Sequence, residues 1–379
     1  MADTEQTLLF QTSHRLAIIT LNRESALNAL NLEMVRELAA CLEACRHDSQ
    51  IDALVLRGAG AKGFCAGGDV RALYHQAKDP ASRVDWPQFF IDEYRLDFAL
   101  HTFPKPVVAL MDGVTMGGGM GLAQGVPLRI ATERSKIAMP EARIGLVPDV
   151  GATWFLNTMP IELALYVGLT GVTLSGADAV ACKLADACVP GDWLRDFEAR
   201  LDTLEDASSL ESLASIFIPP ANSLHARSPA PIEALLPLIH RHFVAHASIE
   251  DMIASLERDA LQQIPAEQRA WVEATLTALK AGSPLALKLT REALIRGRQM
   301  TLGACFQMEF GLVTRSIRDG DFLEGVRARL IDKDGMPKWV PPALEAVDAG
   351  RVRGFFDSAW NAGEHPLRDL GDGPGRRYA

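Results

Sequence analysis

Two carboxylates, Glu141 and Asp149, stand in the otherwise apolar stretch MPEARIGLVPDVGAT. An acid among apolar neighbours either pairs with a base such as Arg143 or has its pKa raised. A pKa raised towards neutrality is what a general base or acid requires. Taken singly, each carboxylate fits an ordinary surface ion pair as well. Two glycine-rich loops precede them, GAGAKGFCAGGDVRALY from Gly58 and TMGGGMGL from Thr115. Backbone N–H groups at a loop-to-helix junction lack intrahelical acceptors and suit developing negative charge. Two such loops can offer one N–H each to a single oxygen, the geometry of an oxyanion hole for a thioester carbonyl. Any one glycine is equally consistent with tight strand-to-helix packing.

Other chemistries find less support. The Gly58 loop matches neither the dinucleotide fingerprint nor the phosphate loop with its Gly-Lys-Ser/Thr ending. The segment RDGDFLEGVRARLIDKD lacks the ligand spacing of an EF-hand. The six cysteines form no CxxC pair, and no histidine cluster has metal-ligand spacing, so no metal is expected. The cysteines read as reduced thiols, and Cys65 as packing, with no histidine beside it in sequence. His14, His47, His75 and His101 make no triad with a serine. The histidines of IEALLPLIHRHFVAH are expected at the surface of an amphipathic helix. Arg23 and Lys62 read as solvated charges before they read as partners of a phosphate.

The elements that must position these residues alternate between strand and helix. TLLFQTSHRLAIITLNR reads as two strands about a turn at Ser13-His14. NLEMVRELAACLEACRHD carries helical spacing, with Asn31 as its cap. DALVLRGAG and VVALMDGV are buried strands, PLRIATERSKIAMP supplies two more, and Asp69 opens a helix. The pattern is α/β with crossover connections. From Ile161 onward helices dominate. SIFIPPANSLHARSPAPIEAL is expected to be an exposed loop, and the tail HPLRDLGDGPGRRYA to be frayed.

Together, FCAGGD, MGGGMGL, MPEARIGLVPDVGAT and the early NRESALNALN resemble the crotonase, or enoyl-CoA hydratase/isomerase, superfamily. The resemblance implies an α/β fold, a crotonase-like ββα spiral core over residues 1–190 with a mostly helical C-terminal region over 191–379. It implies a CoA thioester bound at a backbone oxyanion hole, with Ala66 and Gly118 as donors. Gly67, Gly68, Asp69 and Gly117 would line the substrate. Hydratases of the superfamily carry two glutamates. One matches Glu141; the other would fall at Gly121, which argues against ordinary hydration. FIDEYRLDFAL and the block FQMEFGLVTRSIRDGDFLEGVRARLIDKDGMPKWVPPAL are similar to a hydrolase subgroup acting on 3-hydroxyisobutyryl-CoA, extending the resemblance from about Leu8 to Leu344. It implies that Glu141 attacks the thioester or activates water. Asp149 would meet the 3-hydroxyl or water, and Glu93 would line the acyl pocket. Hydration or isomerisation, and acyl-CoA binding without catalysis, are the alternatives.

Composition bounds the partners. With 379 residues, 48% hydrophobic and 23% charged, the chain suits a large soluble core. A net charge of −10 argues against nucleic acid. No apolar run is long enough to span a bilayer, and no membrane partner is expected. The N-terminus shows neither a signal-peptide pattern nor an Arg/Ser-rich leader, so a cytoplasmic protein is expected. The expected partner is a small acyl-CoA, with CoA as part of the substrate and no other cofactor. A homo-oligomer is left open.

Overall fold

The computed structural model describes residues 6–79, 86–220, 229–361 and 363–375. The chain forms two compact units, each discontinuous in sequence: residues 1–69, 92–138 and 173–233, and residues 70–91, 139–172 and 234–379.

The first unit holds the sheets. In chain order its strands are β1 (Leu8–Ser13), β2 (Leu16–Leu21), β3 (Ala53–Gly58), β4 (Gly63–Cys65), β5 (Val107–Met111), β6 (Val114–Met116), β7 (Leu128–Thr132), β8 (Lys136–Ala138) and β9 (Ala187–Val189). The larger sheet has the order β1-β2-β3-β5-β7-β9 and the smaller β4-β6-β8. Among the strands of the described residues, β1 runs antiparallel to β2 and the other strand-to-strand pairings are parallel. The turn residues His14 and Arg15 adopt positive φ. β2 and β5 are buried along their whole length, as expected of parallel strands covered on both faces.

Three successive chain segments repeat one pattern: a strand in the large sheet, a short strand in the small sheet, then a helix. β3 and β4 lead into α2, β5 and β6 into α4, and β7 and β8 into the next segment. This repetition is the ββα spiral, and it brings the ends of β4 and β6 side by side, with Gly63 opposite Val114 and Cys65 opposite Thr115.

The helices are α1 (Leu32–His47), α2 (Val70–Lys78), α3 (Trp86–His101), α4 (Gly118–Gln124), α5 (Ala152–Phe155), α6 (Ile161–Thr170), α7 (Gly176–Ala181), α8 (Gly191–Arg195), α9 (Leu210–Phe217), α10 (Pro231–His242), α11 (Ile249–Ala260), α12 (Ala266–Ala281), α13 (Pro284–Gly297), α14 (Leu302–Arg318), α15 (Phe322–Val326) and α16 (Ala349–Phe356). Asn31 caps α1 by accepting from Met34 N–H, as its position predicts. Ile18, Val55, Val108 and Ile130 pack with Phe197 and Phe217 to form the core behind the large sheet.

The second unit is helical. Val147, Leu285, Leu289, Ala293, Leu312, Val347 and Phe355 form one core there. Ser283 caps α13 with Pro284 in its first turn, and a Ser248–Asp251 capping box opens α11.

Two expectations need correction. The tail is docked over part of its length: His365 and Leu367 are buried, Gln307 Nε2 donates to Leu367 O (3.1 Å), and Leu302 N–H donates to Asp372 O (3.1 Å). Apolar and aromatic contacts with Phe310 and Trp360 outweigh the polar, glycine-rich composition. The expected loop is narrower than its composition suggests. Its first residues belong to α9, where Ile216 and Phe217 are buried, and helix resumes at Pro231. Residues 221–228 of that loop and 376–379 of the tail lie outside the described residues.

Candidate active site

In the first unit, the loop Ala66–Asp69 links β4 to α2 and lies beside the loop from β6 to α4. Gly67 has φ +99°, and a Cβ on it would lie 3.0 Å from Met116 O and 3.2 Å from Gly118 N. Only glycine lets the two loops approach this closely. Gly118 is the first residue of α4, so its N–H has no intrahelical acceptor. A Cβ on Gly118 would fall 2.3 Å from Glu93 Oε1, which puts the buried Glu93 carboxylate against this backbone. Asp97, one turn along α3, is fully buried too.

The Ala66 N–H donates to Leu27 O at 3.0 Å, so the expectation that it stands free as an oxyanion donor is not met in this structure. Asp69 N–H likewise donates to Leu30 O (2.8 Å), and the Asp69 carboxylate pairs with Arg23 (3.1 Å). Arg23 therefore has a protein partner and is not simply a solvated charge. Asn28 ties the same region together from a positive-φ position. Its side chain accepts from Arg23 N–H (3.0 Å) and donates to Ala59 O (3.0 Å) and Gly63 O (2.9 Å). Cys65 is fully buried, and burial pushes its thiol up to about 12, so it packs and does not react.

The second unit presents the acids. Glu141 opens a 3-10 turn, Glu141–Ile144, directly after Pro140. It is 6% exposed, and Oε2 is buried without a hydrogen-bond partner. Burial, and then the charge of Asp149, raise its pKa well above the ordinary carboxylate range. The alternative pairing with Arg143 does not form. Arg143 donates instead to Thr170 O (3.3 and 2.9 Å), and Arg329 Nε donates to Arg143 O (2.7 Å). Leu146 N–H closes the turn onto Glu141 O, and Ser283 N–H holds Ala142 O, both at 3.0 Å. The backbone is thus fixed while one carboxylate oxygen stays uncommitted, the arrangement a nucleophile or general base needs.

Asp149 is 5% exposed and precedes a strained turn, in which Val150 has φ +54° and Gly151 φ +86°. One acid of this region escapes the sequence reading. Glu309, on α14, is fully buried and accepts from Gly151 N–H (2.7 Å), Thr153 N–H (2.8 Å) and Thr153 Oγ1 (2.6 Å). Burial pushes it up to about 8 against those three bonds. The Thr153 hydroxyl can donate or accept, so it suits either protonation state of Glu309. A signal was present: Leu302, Cys305, Phe306, Glu309 and Phe310 follow helical spacing, which places an acid on the apolar stripe of α14.

Of the histidines expected at the surface of an amphipathic helix, His240 and His246 are exposed and one is not. His242 is buried, not on the surface, with Nδ1 2.8 Å from Ser255 Oγ and Nε2 3.2 Å from Asp259 Oδ2. Its ring lies near Trp271, so packing outweighs the amphipathic pattern there. Position 121, where a hydratase of the superfamily would carry its second glutamate, is a buried glycine inside α4.

The sequence model of the enoyl-CoA hydratase/isomerase family matches residues 16–356. The chain belongs to that family. Among curated family members it is 37% identical over 361 residues to 3-hydroxyisobutyryl-CoA hydrolase 1 of Arabidopsis thaliana, covering 94% of this chain and 93% of that one. It is 38% identical to the mitochondrial 3-hydroxyisobutyryl-CoA hydrolase of Gallus gallus, covering 95% and 91%. Among solved family structures, a carnitinyl-CoA dehydratase from Mycobacterium thermoresistibile superposes with a TM-score of 0.82 at 34% identity, covering 94% of this chain and 97% of that chain. An enoyl-CoA hydratase from Rhodobacter sphaeroides 2.4.1 gives 0.81 at 35%, covering 93% and 98%. Among the described residues of this family member, no helix is long and apolar enough to cross a membrane.

Proposed function

We propose that the chain hydrolyses 3-hydroxyisobutyryl-CoA to 3-hydroxyisobutyrate and CoA, a step of valine breakdown. Near-full-length identity to relatives bearing that name supports the reading. The observation that carries it at the site is the buried, uncommitted Glu141 together with glycine at position 121. One positioned carboxylate suits attack on an acyl carbon. Adding water across a double bond calls for two acid/base groups.

In this reading an ionised Glu141 oxygen attacks the thioester carbon, and the carbonyl π electrons move onto oxygen. Gly118 N–H, joined by an N–H of the Ala66–Gly68 loop, stabilises that oxyanion. Collapse breaks the C–S bond, expels CoA thiolate and leaves a mixed anhydride. Water then cleaves the anhydride, restoring Glu141 and releasing the hydroxy acid. Alternatively Glu141 takes a proton from water, which attacks the same carbon directly. Asp149 accepts a hydrogen bond from the substrate's 3-hydroxyl, Glu93 lines the acyl pocket, and Gly67, Gly68, Asp69 and Gly117 line the bound ester. CoA enters only as part of the substrate. We also place the enzyme in the cytoplasm, although the hydrolases of Danio rerio, Gallus gallus, Xenopus tropicalis and Homo sapiens carry "mitochondrial" in their names; cell fractionation tests this.

The two solved structures named for a dehydratase and a hydratase favour lyase chemistry as the second reading. One experiment separates the two. CoA–SH release from (S)-3-hydroxyisobutyryl-CoA is followed with a thiol reagent, and loss of enoyl absorbance is followed with crotonyl-CoA. Thiol release with crotonyl-CoA untouched is expected, and Glu141→Gln should abolish it while ester binding persists. Enoyl loss without thiol release, or normal turnover by Glu141→Gln, sinks the hydrolase assignment.

A further inference from the structure

We infer that Glu309 is a positioning residue for the acyl end of the substrate: it clamps the Asp149–Thr153 turn, and through Asp149 it sets preference for acyl groups bearing a 3-hydroxyl. The inference rests on the role proposed above for Asp149.

Three hydrogen bonds of 2.7, 2.8 and 2.6 Å run from one five-residue turn to this one side chain. Gly151 N–H meets one oxygen, and Thr153 N–H and Oγ1 meet the other. The turn needs such a clamp. Val150, β-branched, sits at φ +54°, a region it enters only when its surroundings over-determine it. Phe306, one helical turn before Glu309, packs against Gly151, where a Cβ would come within 3.1 Å of its ring. Asn157 Nδ2 holds Thr153 O at 2.7 Å. The turn is therefore fastened from α14 and by Asn157, and Asp149 stands directly before the strained Val150.

The chemistry argues against simple packing. Glu309 lies on the apolar stripe of α14, where a leucine or methionine would avoid the cost of burying a carboxyl group. What the acid supplies, and an apolar side chain cannot, is acceptance of two backbone N–H groups that face the helix. Glutamine keeps the shape but not this capacity. Whichever way its amide turns, an NH2 group faces a backbone N–H.

The test compares kcat/KM for 3-hydroxyisobutyryl-CoA with that for isobutyryl-CoA, both by thiol release. The wild-type chain is expected to prefer the hydroxylated ester. Glu309→Gln should lower the preference about tenfold or more, mainly by loss on the hydroxylated ester, because a displaced acceptor no longer meets the hydroxyl. Thr153→Val removes only one of the three bonds at nearly constant shape, and should lower the preference by about threefold. Equal losses on both esters mean a purely structural role and overturn the inference. A discriminating wild type with an unchanged ratio in Glu309→Gln overturns it while leaving the Asp149 role intact. A wild type indifferent to the hydroxyl overturns both. If Glu309→Gln does not fold, an unchanged ratio in Thr153→Val overturns the inference.

Discussion

Gly118→Ala is the sharpest test of the proposed oxyanion donor, because the structure states what the added methyl meets. Its Cβ would lie 2.3 Å from Glu93 Oε1 and 3.3 Å from Leu30 Cδ1. A carbon and an oxygen rest at about 3.3 Å or more, so on the order of 1 Å must be made up. Glu93 is buried on α3. Overpacking of this kind costs about 1–3 kcal/mol, or a few degrees in melting temperature. Catalysis should suffer more than stability. Loss of one oxyanion donor lowers kcat by about 10²–10³, and a displacement near 1 Å alone accounts for about 10². If the Glu93 carboxylate moves instead of the backbone, the cost falls on KM, through the acyl pocket. The assay is steady-state thiol release from 3-hydroxyisobutyryl-CoA beside a thermal melt. Gly354→Ala on α16, where nothing lies within 4 Å, is the control. Turnover by Gly118→Ala within threefold of wild type, at unchanged KM, would refute the assignment of its N–H.

Two further outcomes follow from the same geometry. Glu141 has its folded-state pKa raised, so its contribution to stability is fully present below the unfolded carboxylate pKa, near 4.5, and is lost as pH rises through the folded value. Glu141→Gln should therefore match the wild type near pH 4.5 and gain on it as the pH is raised from there, by ~1.4 kcal/mol per pKa unit separating the two states. Melts across that range that run parallel would contradict it. Asn28→Ala leaves the buried carbonyls of Ala59 and Gly63 without their donor and puts alanine at φ +56°. A loss of about 2–4 kcal/mol is expected in chemical denaturation, and a loss below 1 kcal/mol would count against the part Asn28 plays in tying these segments together.

Local patterns carried much of the architecture. The apolar runs in β3 and β5 read as buried strands because a sheet covered on both faces needs little alternation along its strands. Asn31, the turn at His14 and the start of α2 were legible because caps and turns depend on residues a few positions apart. The glycine loops were legible as well, and the ends of the strands that carry them pair in the small sheet.

The committed partners of the polar groups were not legible. Ala66 N–H is taken by Leu27 O, Arg143 turns to Thr170 O, His242 sinks beside Trp271, and Glu309 fastens a turn 156 residues before it. The sequence by itself determined which segments are strands and helices, where bare backbone is offered, and that an acid follows Pro140 in apolar company. The tertiary structure alone decided which carboxylate stays unpaired, which amide is already spent, and how far burial raises each acid. Desolvation and hydrogen bonding depend on the atoms packed around a group, and those atoms come from chain positions that no local pattern joins.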